Sequence, residues 1–143
     1  MKLEREAGET EIDEIAELLL PYLNQHRLLL LYGEPGCGKT TLVRALMQIT
    51  GYRGNVQSPT FSLVNQYNLE SGNIVYHFDL YRLSGQAEAD EAGISEMLVS
   101  GGCCRLVEWP ERLHERNYED AVTVRIFYKG ERRLYLIEDK KTV

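Results

Sequence analysis

Gly33-Glu34-Pro35-Gly36-Cys37-Gly38-Lys39-Thr40 satisfies the pattern G-x-x-x-x-G-K-[ST] at every fixed position. Glycines at 33, 36 and 38 let the backbone curl until consecutive N–H groups point inward at phosphate oxygens, a path that side chains would obstruct. In such a loop Lys39 reaches the β- and γ-phosphates of a triphosphate and the Thr40 hydroxyl coordinates Mg²⁺. A helix beginning near Lys39 directs its positive dipole end at the same anion. The candidate ATP contacts here are Gly33, Gly36, Cys37, Gly38, Lys39, Thr40 and Thr41.

Mg²⁺ on a phosphate chain needs a second anchor, commonly an acid at the end of a neighbouring apolar strand, and two acids qualify. Glu108 follows Leu106-Val107 directly, a Walker B position with Glu in place of the more usual Asp, and joins Thr40 as a candidate metal ligand. Asp79 closes Val75-Tyr76-His77-Phe78, and its short side chain suits the orientation of a water or a metal-bound water. Lys39, Asp79 and Glu108 form the candidate catalytic set. Acids at strand ends are also ordinary surface residues; the adjoining loop is what gives these two a role. His77 reads as a hydrogen-bonded core histidine and stays outside the candidate site. Cys37, at a helix N-terminus, reads as a thiol of lowered pKa and so a target for alkylation.

These groups need a frame to hold them. Leu28 to Tyr32 is a short apolar run bounded by Gly33, the pattern of a central strand buried on both faces. Beyond Lys39, Leu42, Val43, Leu46 and Met47 recur at helical spacing until Gly51 stops them. Upstream, Thr10-Glu11-Ile12-Asp13 has the form of a capping signature and predicts a helix over residues 11–24, Pro21 notwithstanding. Strands are expected over 61–67 and 74–80, joined by Glu70-Ser71-Gly72-Asn73. A helix over 86–99, a strand over 103–107 and a strand pair over 122–128 and 134–137 complete the frame. The fold class expected is α/β, a three-layer P-loop NTPase-type domain with a mixed sheet.

A chain of 143 residues suits one domain over 1–143. Net charge is −6, from 16 basic against 22 acidic residues, so counterion release on a phosphate backbone cannot by itself give strong nucleic-acid affinity. Arg125, Lys129, Arg132 and Arg133 read as solvated strand ends in preference to a local basic patch. Cys37, Cys103 and Cys104 form neither an even disulfide framework nor a C-x-x-C spacing, which predicts reduced, buried thiols. The charged start Met1-Lys2-Leu3-Glu4-Arg5-Glu6 lacks the apolar core of a secretory signal, and no apolar run reaches membrane-spanning length. The expected location is the cytoplasm, without a membrane partner.

Four segments, "GEPGCGKTTLVRAL", "SPTFSLVNQY", "YHFDLYRL" and "RLVEWPERL", occur in that order and spacing, and together they resemble the TsaE family from about Thr10 to Ile137. The resemblance implies a P-loop ATPase of bacterial tRNA threonylcarbamoyladenosine (t6A) biosynthesis, working with the partners TsaB and TsaD. In it TsaD performs the transfer to tRNA; the acidic net charge, for its part, has this chain meeting tRNA only through the complex. By position, the resemblance makes Lys39 and Thr40 the binders of phosphate and Mg²⁺, Glu108 the Mg²⁺ acid and Asp79 a residue needed for hydrolysis. It makes Trp109 and Ser58-Pro59-Thr60 nucleotide-responsive surfaces and puts the adenine near Thr10 and Arg132. From the residues alone, Thr10 is also a helix cap and Arg132 a solvated charge. The family usually has Asp-Leu and Ala where Glu34-Pro35 and Cys37 stand here.

No arginine finger is assignable, so weak hydrolysis alone and a marked rise with partners are expected, the γ-phosphate ordering the 58–61 loop as a resetting switch. Two other functions fit the same loop. One is a small nucleotide or metabolite kinase, for which Arg112 and Arg116 are the candidate lid residues. The other is a regulatory module that binds ATP without turnover.

Overall fold

The computed structural model describes residues 1–59, 63–83, 87–88, 93–99, 102–113 and 118–139. Four leucines in a row do not suit a half-solvated strand, in which alternate side chains meet water. Leu28–Tyr32 accordingly forms β2, the middle strand of a seven-stranded sheet, with all four leucines buried. Leu29 and Leu31 enter one apolar cluster, and Leu28 and Leu30 enter another. On the first face lie α1 (Ile12–Asn24) and α2 (Lys39–Ile49), supplying Ile15, Leu19, Leu42 and Leu46. On the second lies α3 (Ile94–Val99), supplying Ile94 and Leu98. Each buried leucine contributes roughly 1.5–3 kcal/mol, and the two clusters together fix β2 and the start of the loop that follows it.

Around β2 the strands are β1 (Lys2–Ala7), β3 (Val64–Asn68), β4 (Ile74–Asp79), β5 (Cys104–Glu108), β6 (Ala121–Lys129) and β7 (Arg132–Asp139). Their lateral order is β1-β7-β6-β2-β5-β4-β3. β6, β2, β5 and β4 run parallel, whereas β1, β7 and β3 pair antiparallel. The sheet is mixed, with helices on both faces, as the sequence pattern implies. At the N-terminal ends of β2 and β5, Arg27 pairs with Asp139 at 2.6 Å and the fully buried Arg105 pairs with Asp120. That end is locked by ion pairs, and the functional groups gather at the other.

Two local readings change. The cap before α1 is not Thr10: a 3-10 turn spans Glu9–Glu11, and the Gly8 N–H donates to Glu11 Oε1 at 3.0 Å. Glu11 does the work assigned to the threonine because its longer side chain folds back across the turn. β1 was not anticipated, since only Leu3 and Ala7 of Lys2–Ala7 carry an apolar signal. Its exposed Lys2, Glu4 and Glu6 suit a sheet edge. Of the basic residues at these strand ends, Arg125, Lys129 and Arg132 are exposed, as expected, and find partners there. Arg132 reaches Glu6 at 3.1 Å and Glu11 at 2.9 Å, Lys129 reaches Glu6 at 3.2 Å, and Arg125 lies 4.3 Å from the Tyr32 ring centre.

Elsewhere the boundaries differ by one to three residues, as helix and strand ends do. Of the helix expected over 86–99, residues 87–88 and Ile94–Val99 are helical, while 86, 89–92 and the strand start at 61–62 lie outside the described residues. Among the described residues no helix is long and apolar enough to cross a membrane.

Candidate functional site

Because β2, β5 and β4 are parallel neighbours, their carboxyl ends open at one edge of the sheet, where α/β folds bind ligands. In register, Leu31 stands opposite Glu108, and Glu108 stands opposite Asp79. Three segments distant in sequence thus converge: the loop after β2, the last residue of β5 and the last residue of β4.

The loop turns through two left-handed positions, Gly36 at φ +78° and Gly38 at φ +109°, which residues bearing a β-carbon rarely adopt. Gly33 is required for space instead, since a β-carbon there would lie 2.4 Å from Cys37 Sγ. α2 begins at Lys39, and its first closed turn runs from Leu42 N–H to the Gly38 carbonyl at 2.9 Å. The first N–H groups of a helix have no partner within it, which is what makes a helix N-terminus an anion site. From the far side, Tyr128 donates its hydroxyl to the Pro35 carbonyl at 2.8 Å and Arg133 donates Nε–H to the Cys37 carbonyl at 3.2 Å. The β6–β7 hairpin therefore braces the loop, a role that nothing in the sequence pattern signals.

A cavity of about 420 Å³ opens against this loop. Gly36, Gly38, Lys39, Thr40, Thr41, Asp79, Glu108 and Trp109 line it, together with Pro35, Ser58 and Tyr81. Of the residues expected from the sequence, Gly33 and Cys37 belong to the loop but are not among the lining residues. Thr10 and Arg132 meet one another's segment through the Arg132–Glu11 pair, away from the cavity lining. Thr60 and Arg116 fall outside the described residues.

Within the cavity Thr40 Oγ1 lies 2.9 and 3.0 Å from the two oxygens of Glu108, and 2.7 Å from Ser58 Oγ. Thr40 has one proton, directed at the carboxylate, so Ser58 donates to Thr40. Lys39 is buried, donates to the Gly33 carbonyl and, at 3.4 Å, to that of Glu34, and holds its ammonium 4.1 Å from the Trp109 ring centre. Trp109 adopts φ +61°, an unusual conformation for a bulky residue, with Tyr81 packed against it at 4.9 Å between ring centres. Asp79 Oδ1 accepts from the Tyr81 N–H at 3.1 Å. Burial pushes the Asp79 carboxyl above the ordinary aspartate range, the Tyr81 bond opposes the rise, and the charge of Glu108 adds to it.

The donor set fits Mg²⁺: hydroxyl and carboxylate oxygens meet at one point beside the N-terminus of α2. Among the described residues no three His, Cys, Asp or Glu side chains form a metal cage. A metal here would share its coordination with phosphate oxygens, the usual arrangement for Mg²⁺.

Two sequence readings are corrected by the geometry. The Cys37 thiol lies under Gly33 with 2% exposure, and burial pushes its pKa up, outweighing the lowering effects of Lys39 and nearby N–H groups. A helix N-terminus activates a thiol only when water or a cation can reach it. Ellman's reagent at pH 8 is therefore expected to leave Cys37 and the buried Cys104 unmodified in the folded chain, and to label all three cysteines after denaturation. Rapid native labelling of Cys37 would contradict this. The second correction concerns His77. It is a buried, hydrogen-bonded histidine as expected, but its Nε2 lies 2.6 Å from Glu108 Oε2, which joins it to the site.

A glycine-rich G-x-x-x-x-G-K-T loop between the central strand of a mixed α/β sheet and the following helix defines a P-loop NTPase-type protein. The profile described as "Threonylcarbamoyl adenosine biosynthesis protein TsaE" matches residues 7–135, and the chain belongs to the TsaE family. Among relatives, the tRNA threonylcarbamoyladenosine biosynthesis protein TsaE of Haemophilus influenzae is 39% identical over 127 residues, covering 87% of this chain and 78% of that protein. The protein of the same name from Rickettsia felis is 38% identical over 105 residues, covering 73% of this chain and 60% of its own length. The crystal structure of Bacillus subtilis YdiB superposes with a TM-score of 0.66 over 97% of this chain and 86% of that one, at 23% identity. The fold is shared with that structure, and the family role is t6A biosynthesis.

Proposed function

We propose that residues 1–143 act as a single P-loop ATPase domain that hydrolyses ATP with Mg²⁺ and serves as a nucleotide-driven resetting switch on a TsaB–TsaD threonylcarbamoyl transferase complex. The observation that carries this reading is the contact of the Thr40 hydroxyl with both oxygens of Glu108, at 2.9 and 3.0 Å, in a cavity that Asp79 and the glycine loop also line. Loop, metal acid and water-positioning acid share one space.

On this reading the loop N–H groups and the Lys39 ammonium hold the β- and γ-phosphates, Lys39 exchanging its loop carbonyls for phosphate oxygens. Thr40 and Glu108 hold Mg²⁺, which when bound offsets charge on the transferring phosphoryl group. Asp79 orients the attacking water and accepts its proton, and a carboxyl raised by burial is better matched to that task than an ordinary aspartate. Ser58, bonded to Thr40, ties the 56–59 segment to the metal site and gives the switch its sensor. Thr60 and Phe61, which complete that segment, lie outside the described residues.

Among the described residues no arginine lines the cavity, which supports slow turnover without a partner. With a net charge of −6, contact with tRNA runs through the complex, in the cytoplasm. Phosphate release measured with and without TsaB and TsaD type proteins and tRNA tests the reading. Slow release alone and a marked rise with the pair are expected. Equal rates would contradict the switch, and transfer of the γ-phosphate to a small acceptor would make the chain a kinase.

A further inference from the structure

A histidine with no exposed surface in the middle of a sheet costs free energy unless both ring nitrogens are bonded, and both are. Nδ1 lies 2.8 Å from the Tyr67 hydroxyl, and Nε2 lies 2.6 Å from Glu108 Oε2. Val75 and His77 share one face of β4, Leu106 and Glu108 the same face of β5, so the imidazole lies between the edge strand β3 and the end of β5.

The chemistry of the partners sets the protons. A carboxylate only accepts, so Nε2 carries the hydrogen and donates it to Glu108. Nδ1 shares its hydrogen bond with the Tyr67 hydroxyl, which burial keeps in its phenol form by pushing its pKa up. The chain of contacts runs Tyr67 to His77 to Glu108.

Glu108 has donors from two sources. Thr40 belongs to the nucleotide loop and must turn its oxygen toward any metal it helps to hold. His77 belongs to the sheet, and its bond is independent of the loop. We propose that His77, oriented by Tyr67, is a positioning residue that holds the Glu108 carboxylate toward Thr40 and thereby sets the affinity of the site for divalent metal without setting its affinity for nucleotide. The inference rests on the reading of Thr40 and Glu108 as the Mg²⁺ holders given under Proposed function. Outer partners of metal-ligating carboxylates act in this way, and their loss costs about 10- to 100-fold in metal affinity.

Three substitutions separate positioning from packing. His77→Leu removes both bonds; His77→Gln can still present an N–H near the Nε2 position; His77→Asn can keep the Tyr67 bond but falls short of Glu108. Binding of a fluorescent ATP analogue is titrated against Mg²⁺, and separately in EDTA, with thermal melting recorded for each variant. For His77→Leu and His77→Asn the Mg²⁺ concentration at half effect is expected to rise about 10- to 100-fold, with binding in EDTA unchanged and His77→Gln near wild type. Wild-type Mg²⁺ dependence in His77→Asn would overturn the proposal. So would a parallel loss of Mg²⁺ response, EDTA binding and melting temperature in all three, which marks a packing role. If His77→Leu does not fold, the contrast of Gln with Asn decides. Lys39→Ala is run alongside: if it binds as wild type, the loop assignment itself fails, whereas its loss of binding beside an unaltered His77→Asn removes only the present inference.

Discussion

Lys39→Ala is expected to abolish measurable ATP binding at concentrations that saturate the wild-type chain. Lys39 is 6% exposed, and its ammonium is held by two loop carbonyls and the face of Trp109. It is thus already desolvated and aimed at the cavity, so little reorganisation opposes its transfer to phosphate. Removing one partner of a buried, hydrogen-bonded charge pair costs about 2–5 kcal/mol, which corresponds to an affinity loss of about 30- to 4,000-fold. The fold should survive, because alanine favours helices and Lys39 opens α2 at its first turn. Circular dichroism with fluorescence titration checks both halves. Unchanged affinity in a folded variant would mean that the nucleotide is held elsewhere.

Asp79→Asn is expected to bind ATP normally and to lose hydrolysis by about 10²- to 10⁴-fold, the range for removal of a general base. Asparagine keeps the size of the side chain and can still accept the Tyr81 N–H bond through its carbonyl oxygen. The loss would therefore follow from basicity and not from shape. The same substitution carries a stability test whose sign is fixed. Burial raises the Asp79 pKa above its unfolded value, so the folded chain prefers the protonated acid. Its contribution to stability is fully present below the unfolded pKa and is lost as pH rises through the folded pKa. In Mg²⁺-free buffer at pH 7, Asp79→Asn should therefore melt higher than wild type, and the difference should shrink as the pH falls into the carboxylate range. A residue kept at a cost in stability is common where a function needs it.

The sequence reading succeeds where local pattern and tertiary environment demand the same thing. Leu28 to Leu31 must be central because nothing but two buried faces accommodates four consecutive leucines, and Gly36 and Gly38 must be glycine because the loop passes through left-handed backbone. Glu108 and Asp79 were legible as acids at strand ends, but their adjacency follows from the β4–β5 register, which no local pattern encodes. The same register brings His77 to Glu108, 31 positions away, so a residue read as ordinary core became part of the site. Tyr128 and Arg133 brace loop residues 93 and 96 positions distant, beyond any window of periodicity. Cys37 misled because the dipole argument is local, whereas burial under Gly33 is tertiary. Thr10 misled because Glu11, with its longer side chain, takes the capping bond from Gly8.

The most direct measurement is a crystal structure of the chain grown with Mg²⁺ and a non-hydrolysable ATP analogue. The account predicts the phosphates inside the curve from Gly33 to Thr40, Lys39 against them, and a metal ion held between the Thr40 hydroxyl and Glu108. An analogue bound elsewhere, or a metal ion that touches neither Thr40 nor Glu108, would contradict it.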